Sequence, residues 1–237
     1  PAPMKRSGVI IVAGGQGRRC GGSIPKQFAL LAGRPVLAHT IGNFAQALPG
    51  ASIVVVLPAE YIGFWNNLRA RFDVAPHTVT AGGNERFHSV RNGLAALPED
   101  VGLIAVQDGV RPLGSVKLIR RLTAEAAEHG TAIPVVEAAD SYRETDGGTS
   151  YPLDRRRLRI VQTPQVFDAA LLREAYRTDY DPEFTDDASV VERSGHAVRL
   201  CEGERQNLKI TTPEDIAIAE ALFAAREENA CEGLPIE

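Results

Sequence analysis

Three cations set around a run of glycines are where this sequence could do chemistry. Residues 9 to 28 read VIIVAGGQGRRCGGSIPKQF: an apolar run breaks into five glycines within nine residues, and Arg18, Arg19 and Lys26 follow among them. Glycine lets a backbone approach a ligand closely, and Arg and Lys bring charge-assisted hydrogen bonds, so a loop of this composition is fit to hold a phosphate chain. Two familiar phosphate-binding patterns fail. The P-loop needs Gly-Lys before a hydroxyl residue, and none occurs here. The dinucleotide fingerprint aligns Gly15 and Gly17 but meets Cys20 at its third glycine, and the second strand runs out in Leu57-Pro58 without a ribose-binding acid. A plain surface loop with solvated cations remains the alternative. Asp108 ends a second apolar run, GLIAVQ, at the edge where open α/β sheets bind ligands; a cap of the turn before Arg111-Pro112 is the lesser alternative.

Positioning such residues takes a scaffold, and its elements can be read from periodicity. GVIIVA, SIVVVL (52 to 57), HTVT (77 to 80), GLIAVQ (102 to 107) and TAIPVV (131 to 136) read as strands, near-continuously apolar and so buried on both faces. Leu37, Ile41, Phe44 and Leu48 fall at helical spacing after Pro35, and Phe87, Val90, Leu94 and Leu97 repeat it. Val116, Ile119 and Leu122 mark a third helix. TTPEDIAIAEALFAA marks a terminal one, with a threonine cap, Pro213 at its first position and acids in its first turn. Alternating strands and helices predict a Rossmann-like α/β fold, an open, mainly parallel sheet flanked by helices. Residues 137–161 break the pattern with polar, alternating stretches around a glycine turn, which predicts a protruding β-hairpin; a dimerisation arm and a plain surface hairpin fit the pattern about equally. No repeat or linker is found, so 1–237 is read as a single domain.

Composition narrows the function classes. At 237 residues the chain is long enough to bury roughly 70% of its unfolded surface in one core. A net charge of −4 argues against general nucleic-acid or membrane-surface binding, so any anion site must be local. Three well-separated cysteines, Cys20, Cys201 and Cys231, suit a reducing, cytoplasmic compartment. No apolar run long enough to span a bilayer is seen, and none follows the basic pair near the start as a signal peptide would require. The histidines at 39, 77, 88, 129 and 196 show no metal-ligand spacing with one another or with cysteine, and most read as surface or helix residues.

The loop AGGQGRRCGGSIPKQF resembles the signature of the nucleotidylyltransferases that activate sugars and sugar alcohols, and its Pro-Lys-Gln form is similar to the 2-C-methyl-D-erythritol 4-phosphate cytidylyltransferases. GGNERFHSV (82 to 90), QDGVRP (107 to 112), DSYRE (140 to 144), TPQVF (163 to 167), TDDAS (185 to 189) and NLKITTPED (207 to 215) follow in that family's order and spacing. The resemblance implies cytidylyl transfer from CTP to a sugar-alcohol phosphate, a step of the non-mevalonate isoprenoid route, with Mg²⁺ held mainly through the CTP phosphates and no protein metal ligands. It places Arg19 and Lys26 at the α-phosphate, with Lys209 as a further catalytic group. It sets Ala13, Gly14 and Gly15 along the nucleotide, Gly83, Asn84 and Ser89 at the cytosine edge, and Asp108 between nucleotide and acceptor. Arg111, Ser141, Arg155, Thr185 and Lys209 fall on the acceptor side. In this family the arm reaches the partner's active site, which implies a homodimer. The chain departs from the family pattern at Val12, where proline is common, at Asn84, where an acid is common, at QDGVRP, and at Ser141 and Arg143, which stand for threonine and lysine. A cytidylyltransferase for another polyol phosphate such as ribitol 5-phosphate would share every CTP-facing motif, and a non-catalytic nucleotide-binding module would share the fold.

Overall fold

A computed structural model describes residues 6–14 and 24–232. In chain order its first part runs β1 (Ser7–Val12), the short hairpin β2 (Leu30–Leu31) and β3 (Arg34–Pro35), α1 (Val36–Ala47), β4 (Ser52–Leu57), α2 (Ala59–Arg69), β5 (Thr78–Ala81), α3 (Arg86–Ala96), β6 (Leu103–Asp108), α4 (Val116–His129) and β7 (Thr131–Glu137). The second part runs β8 (Tyr142–Asp146), β9 (Thr149–Leu153), β10 (Arg159–Val161), β11 (Gln165–Asp168), α5 (Ala169–Ala175), α6 (Asp187–Arg193), β12 (Leu200–Glu202) and α7 (Pro213–Glu232).

β6, β1, β4 and β5 lie side by side in parallel. Side chains alternate across this sheet. Val9, Ile11, Val55, Leu57 and Ala105 pack with α1, α4 and Trp65 of α2 on one face, while Ile10, Val54, Val56, Ile104 and Val106 pack with α3, α5 and α6 on the other. Burial on both faces is why these strands carry almost no polar residue until their carboxyl ends. β5 departs from that expectation: it is the edge strand, its residues exposed or half-buried, because only β4 pairs with it. A third cluster seats α7, through Ala219, together with Ile210 just before it, on Leu31, Val36, Val110 and Leu113. At its start the Asp215 carboxylate accepts from the Thr211 and Thr212 N–H groups at 2.7 and 2.8 Å, so an acid of the first turn closes this end of the helix.

β10 and β11 both run antiparallel to β7. They lie along one edge of it, since Gln162 N donates to Pro134 O and Asp168 N to Gly130 O, both at 2.8 Å, while β12 pairs with the opposite edge. They thus form one strand interrupted at 162–164, and β11 also pairs with β6, filling the space between β6 and β7. β8 and β9 form the expected hairpin, turned by Gly147 and Gly148 at φ +51° and +88°, a conformation that suits glycine. Every residue of both strands is exposed.

Candidate active site

The site forms where β1 and β6 end side by side, Val12 in register with Asp108. Gly109 N donates to Val12 O at 2.8 Å, and a Cβ on Gly109 would stand 2.8 Å from the Ala13 Cβ, so glycine lets the two departing loops touch. The Asp108 carboxylate collects three cations: Lys209 Nζ at 3.0 Å, Arg111 Nε at 3.3 Å and Arg86 Nε at 3.7 Å. Burial alone would raise the Asp108 pKa. Arg86, Lys209 and Arg111 outweigh it and hold the carboxyl down to about 2, so Asp108 is ionised at any physiological pH.

Each cation arrives from a different element. Arg111 sits one turn beyond Asp108 and donates to the Asn207 carbonyl at 2.8 Å, and Asn207 Nδ2 in turn donates to Thr163 O at 2.8 Å. Thr163, in the break between β10 and β11, accepts from Asp108 N at 3.0 Å. Arg86 opens α3 and donates at 2.7 Å to Asp187, a fully buried carboxylate at the start of α6 that also accepts from Tyr176 Oη at 2.6 Å. Burial works against the Arg86 charge, but Asp187 and Asp108 more than offset it and raise its pKa. Three cations facing two carboxylates leave this edge positive, and Lys209, half exposed, carries the charge outward.

Beside this cluster the backbone narrows around Ser89. Its hydroxyl donates to Glu85 O and accepts from Gly83 N, each at 3.2 Å. A Cβ on Gly82 would stand 2.8 Å from the Ser89 Oγ, and one on Gly83 would overlap His88 Cβ; the same hydroxyl lies 3.8 Å from where a Gly14 side chain would start. The fold therefore brings Ala13, Gly14, Gly83 and Ser89 together, with Asn84 exposed next to them. Lys26 opens a single 3-10 turn, Lys26–Phe28, whose Gln27 Nε2 donates to Ala13 O at 2.9 Å. That bond draws together the two ends of the glycine loop. Gly15, Arg18, Arg19 and Cys20 lie outside the described residues.

Of the residues expected on the acceptor side, Thr185 leads into α6, its N–H donating to Ser189 Oγ at 3.1 Å. Ser141 and Arg155 belong to the arm. Arg155 donates to Ala139 O at 2.6 Å and lines a cleft of about 380 Å³ with Glu137, Arg156, Arg159 and Arg205. Among the described residues, no hydrogen bond or ion pair joins Ser141 or Arg155 to Asp108 or Lys209. Arg86, Asp187, Tyr176, Thr163 and Asn207 were not singled out by the sequence reading. Arg86 and Asp187 pair across 101 positions of sequence, and no local pattern marks such a partner.

Residues 8–225 match the family model described as 2-C-methyl-D-erythritol 4-phosphate cytidylyltransferase. A protein of that name from Bacteroides thetaiotaomicron is 48% identical over 222 residues, covering 93% of this chain and all of the relative. One from Porphyromonas gingivalis is 46% identical over 220 residues, covering 91% of this chain and 97% of the relative. The crystal structure of the protein of that name from Thermus thermophilus superposes with a TM-score of 0.71 at 31% identity, covering 93% of this chain and 100% of that one.

Proposed function

The chain belongs to the 2-C-methyl-D-erythritol 4-phosphate cytidylyltransferase family, and from that premise we propose how its residues carry the reaction. The enzyme transfers the cytidylyl group of CTP to 2-C-methyl-D-erythritol 4-phosphate. A phosphate oxygen of the acceptor attacks the α-phosphorus in line, the bond to the bridging oxygen breaks, and pyrophosphate leaves with that electron pair. No protein nucleophile is consumed. The work is to neutralise two anions, align them and stabilise charge on the equatorial oxygens.

The observation that carries this reading is the clamp of Arg86, Arg111 and Lys209 on Asp108, set beside the narrow Gly14–Gly83–Ser89 backbone. Gly83, Asn84 and Ser89 read the cytosine edge, and Ala13, Gly14 and Gly15 lie along the nucleotide. Arg19 and Lys26 stabilise the α-phosphate. Lys209, released from Asp108 to the incoming phosphate, joins Arg111 and Thr185 in holding the acceptor, while Arg86 remains to balance Asp108.

Asp108 is already engaged by three cations. These residues fit a Mg²⁺ that arrives on the triphosphate, held by phosphate oxygens and water. That ion would supply further charge neutralisation at the phosphates.

Ser141 and Arg155 act in a second copy of the chain. Tyr142, Glu144, Tyr151 and Leu153 share one face of the hairpin by register, and the exposed Tyr142, Tyr151 and Leu153 make that face apolar. A homodimer would cover it and deliver Arg155 to the partner's acceptor phosphate. No helix among the described residues is long and apolar enough to cross a membrane, and the enzyme works in the cytoplasm on this reading.

Pyrophosphate release from each of four nucleoside triphosphates, against a panel of polyol phosphates, tests the assignment. CTP with 2-C-methyl-D-erythritol 4-phosphate should be preferred, because a site built around the cytosine amine leaves polar groups unpaired with uracil. Equal use of CTP and UTP would refute the cytosine-reading roles, and preference for ribitol 5-phosphate would reassign the acceptor.

A further inference from the structure

Lys26 stands on one short turn, and what fixes that turn lies on the far side of it. Phe28, two residues on and 3% exposed, enters a socket of three rings from α2: Phe64 at 5.1 Å between centroids, Tyr61 at 5.9 Å, and Trp65 at 5.9 Å in a stacked orientation. Trp65 is fully buried, and its indole N–H donates to His77 Nε2 at 3.0 Å. The same nitrogen lies 3.1 Å from a guanidinium nitrogen of Arg69, and His77 Nδ1 lies 2.8 Å from Ala75 O.

Only one protonation state satisfies all three contacts. Nδ1–H donates to the carbonyl, and the Nε2 lone pair accepts from tryptophan and arginine. His77 is thus no surface histidine: neutral, it closes the socket at the edge where β5 begins. A proton on Nε2 would face it with two donors, both of which must turn away.

We propose that Trp65 is a positioning residue for Lys26, latched by neutral His77, so that protonating His77 releases the aromatic socket and misplaces the lysine. The inference rests on the reading of Lys26 as the group that meets the α-phosphate. Among the described residues Arg69, from α2, is the charged group facing His77. Burial holds the His77 pKa below its ordinary 6.5; the Ala75 carbonyl opposes this and Arg69 adds to it. A lowered histidine pKa means the fold favours the neutral ring. The stabilisation is therefore fully present above about 6.5 and is lost as the pH falls through the lowered value.

Trp65 is the one tryptophan of the chain, so its fluorescence reports on this latch alone. With the enzyme titrated from about pH 8 downward, through and well below the ordinary histidine pKa of about 6.5, wild-type fluorescence should fall in acid with a step matched by a component of the kcat profile. His77→Gln keeps an acceptor for the indole but cannot titrate, and should flatten both while kcat at the alkaline end stays near wild type. Trp65→Phe keeps a ring but loses the latch, and should lower kcat by about tenfold, within the range for a misplaced catalytic group, with little change in KM for the acceptor. Circular dichroism should show both variants folded. A wild-type acid step in His77→Gln, or unchanged turnover in Trp65→Phe, overturns the latch. Lys26→Ala, assayed beside them, tests the underlying reading: normal turnover there overturns the role of Lys26 whatever the fluorescence does.

Discussion

Replacing Arg86 by glutamine should cost the fold more than any other change at the active-site edge, and the cost should belong mostly to Asp187. Arg86 donates to that carboxylate at 2.7 Å and approaches Asp108 at 3.7 Å, and Asp187 has no exposed surface. Asp108 would keep Arg111 and Lys209. Among the described residues, Asp187 would keep only the Tyr176 hydroxyl, in a low dielectric. Breaking a buried ion pair from one side costs about 3–5 kcal/mol, because a charge is left uncompensated. At about 2–4 °C per kcal/mol for a chain of this size, the melting temperature should fall on the order of 10 °C. Adding Asp187→Asn removes the stranded charge, so the double variant should recover part of the loss, with a coupling energy of about 1–3 kcal/mol in a thermal or urea double-mutant cycle. A melting temperature within a degree or two of wild type in Arg86→Gln, or strictly additive single and double variants, would refute the account of Arg86 as counter-charge to a buried acid.

Lys26→Ala should lower kcat by about 10²-fold, the scale for losing one electrostatic contact in the transition state, with an unchanged melting temperature. Arg155→Ala should raise KM for the acceptor far more than KM for CTP, and mixing it with Lys26→Ala should give mixed dimers more active than either parent; a CTP-selective defect would rule out the acceptor role. Asp108 is held down to about 2 against its ordinary 3.8, which corresponds to about 2 kcal/mol of stability, present above about pH 4 and lost as the pH falls through 2. The stability gap between wild type and Asp108→Asn should therefore narrow in acid, as chemical denaturation across that range would register; a gap independent of pH would show the ion pairs contribute nothing.

What the sequence revealed depended on whether the cause was local. α1 was legible because its apolar spacing follows Pro35, and the arm because Gly147-Gly148 sits between alternating stretches. Asp108 was legible as the polar end of a buried strand. The edge position of β5 was not, since exposure there is set by which strands pair and not by the residues of HTVT. The split strand of β10 and β11 escaped too, because the segment around Thr163 has a turn-like composition and pairs only with strands formed elsewhere. Arg86 and Asp187 were visible as letters of two motifs, but their partnership exists only once α3 and α6 are folded against the same face of the sheet. The role of His77 was hidden for a similar reason, its contacts being set by Trp65 and Arg69 from the helix before it.

The placement of β11 between β6 and β7 also has a consequence in time. The ribosome finishes β6, α4 and β7 before it makes the strand that joins them, so the emerging chain carries β6 with an open edge and no mate for β7. An unpaired apolar edge of this kind invites association with other chains until it is covered. The hydroxyl of Thr163 that accepts from Asp108 N is delivered with that later segment, and Lys209 comes after it. The cation-rich edge is accordingly completed late: chains interrupted in their middle can build the β1–β4 half of the sheet but lack the segments that bring Thr163 and Lys209 to Asp108.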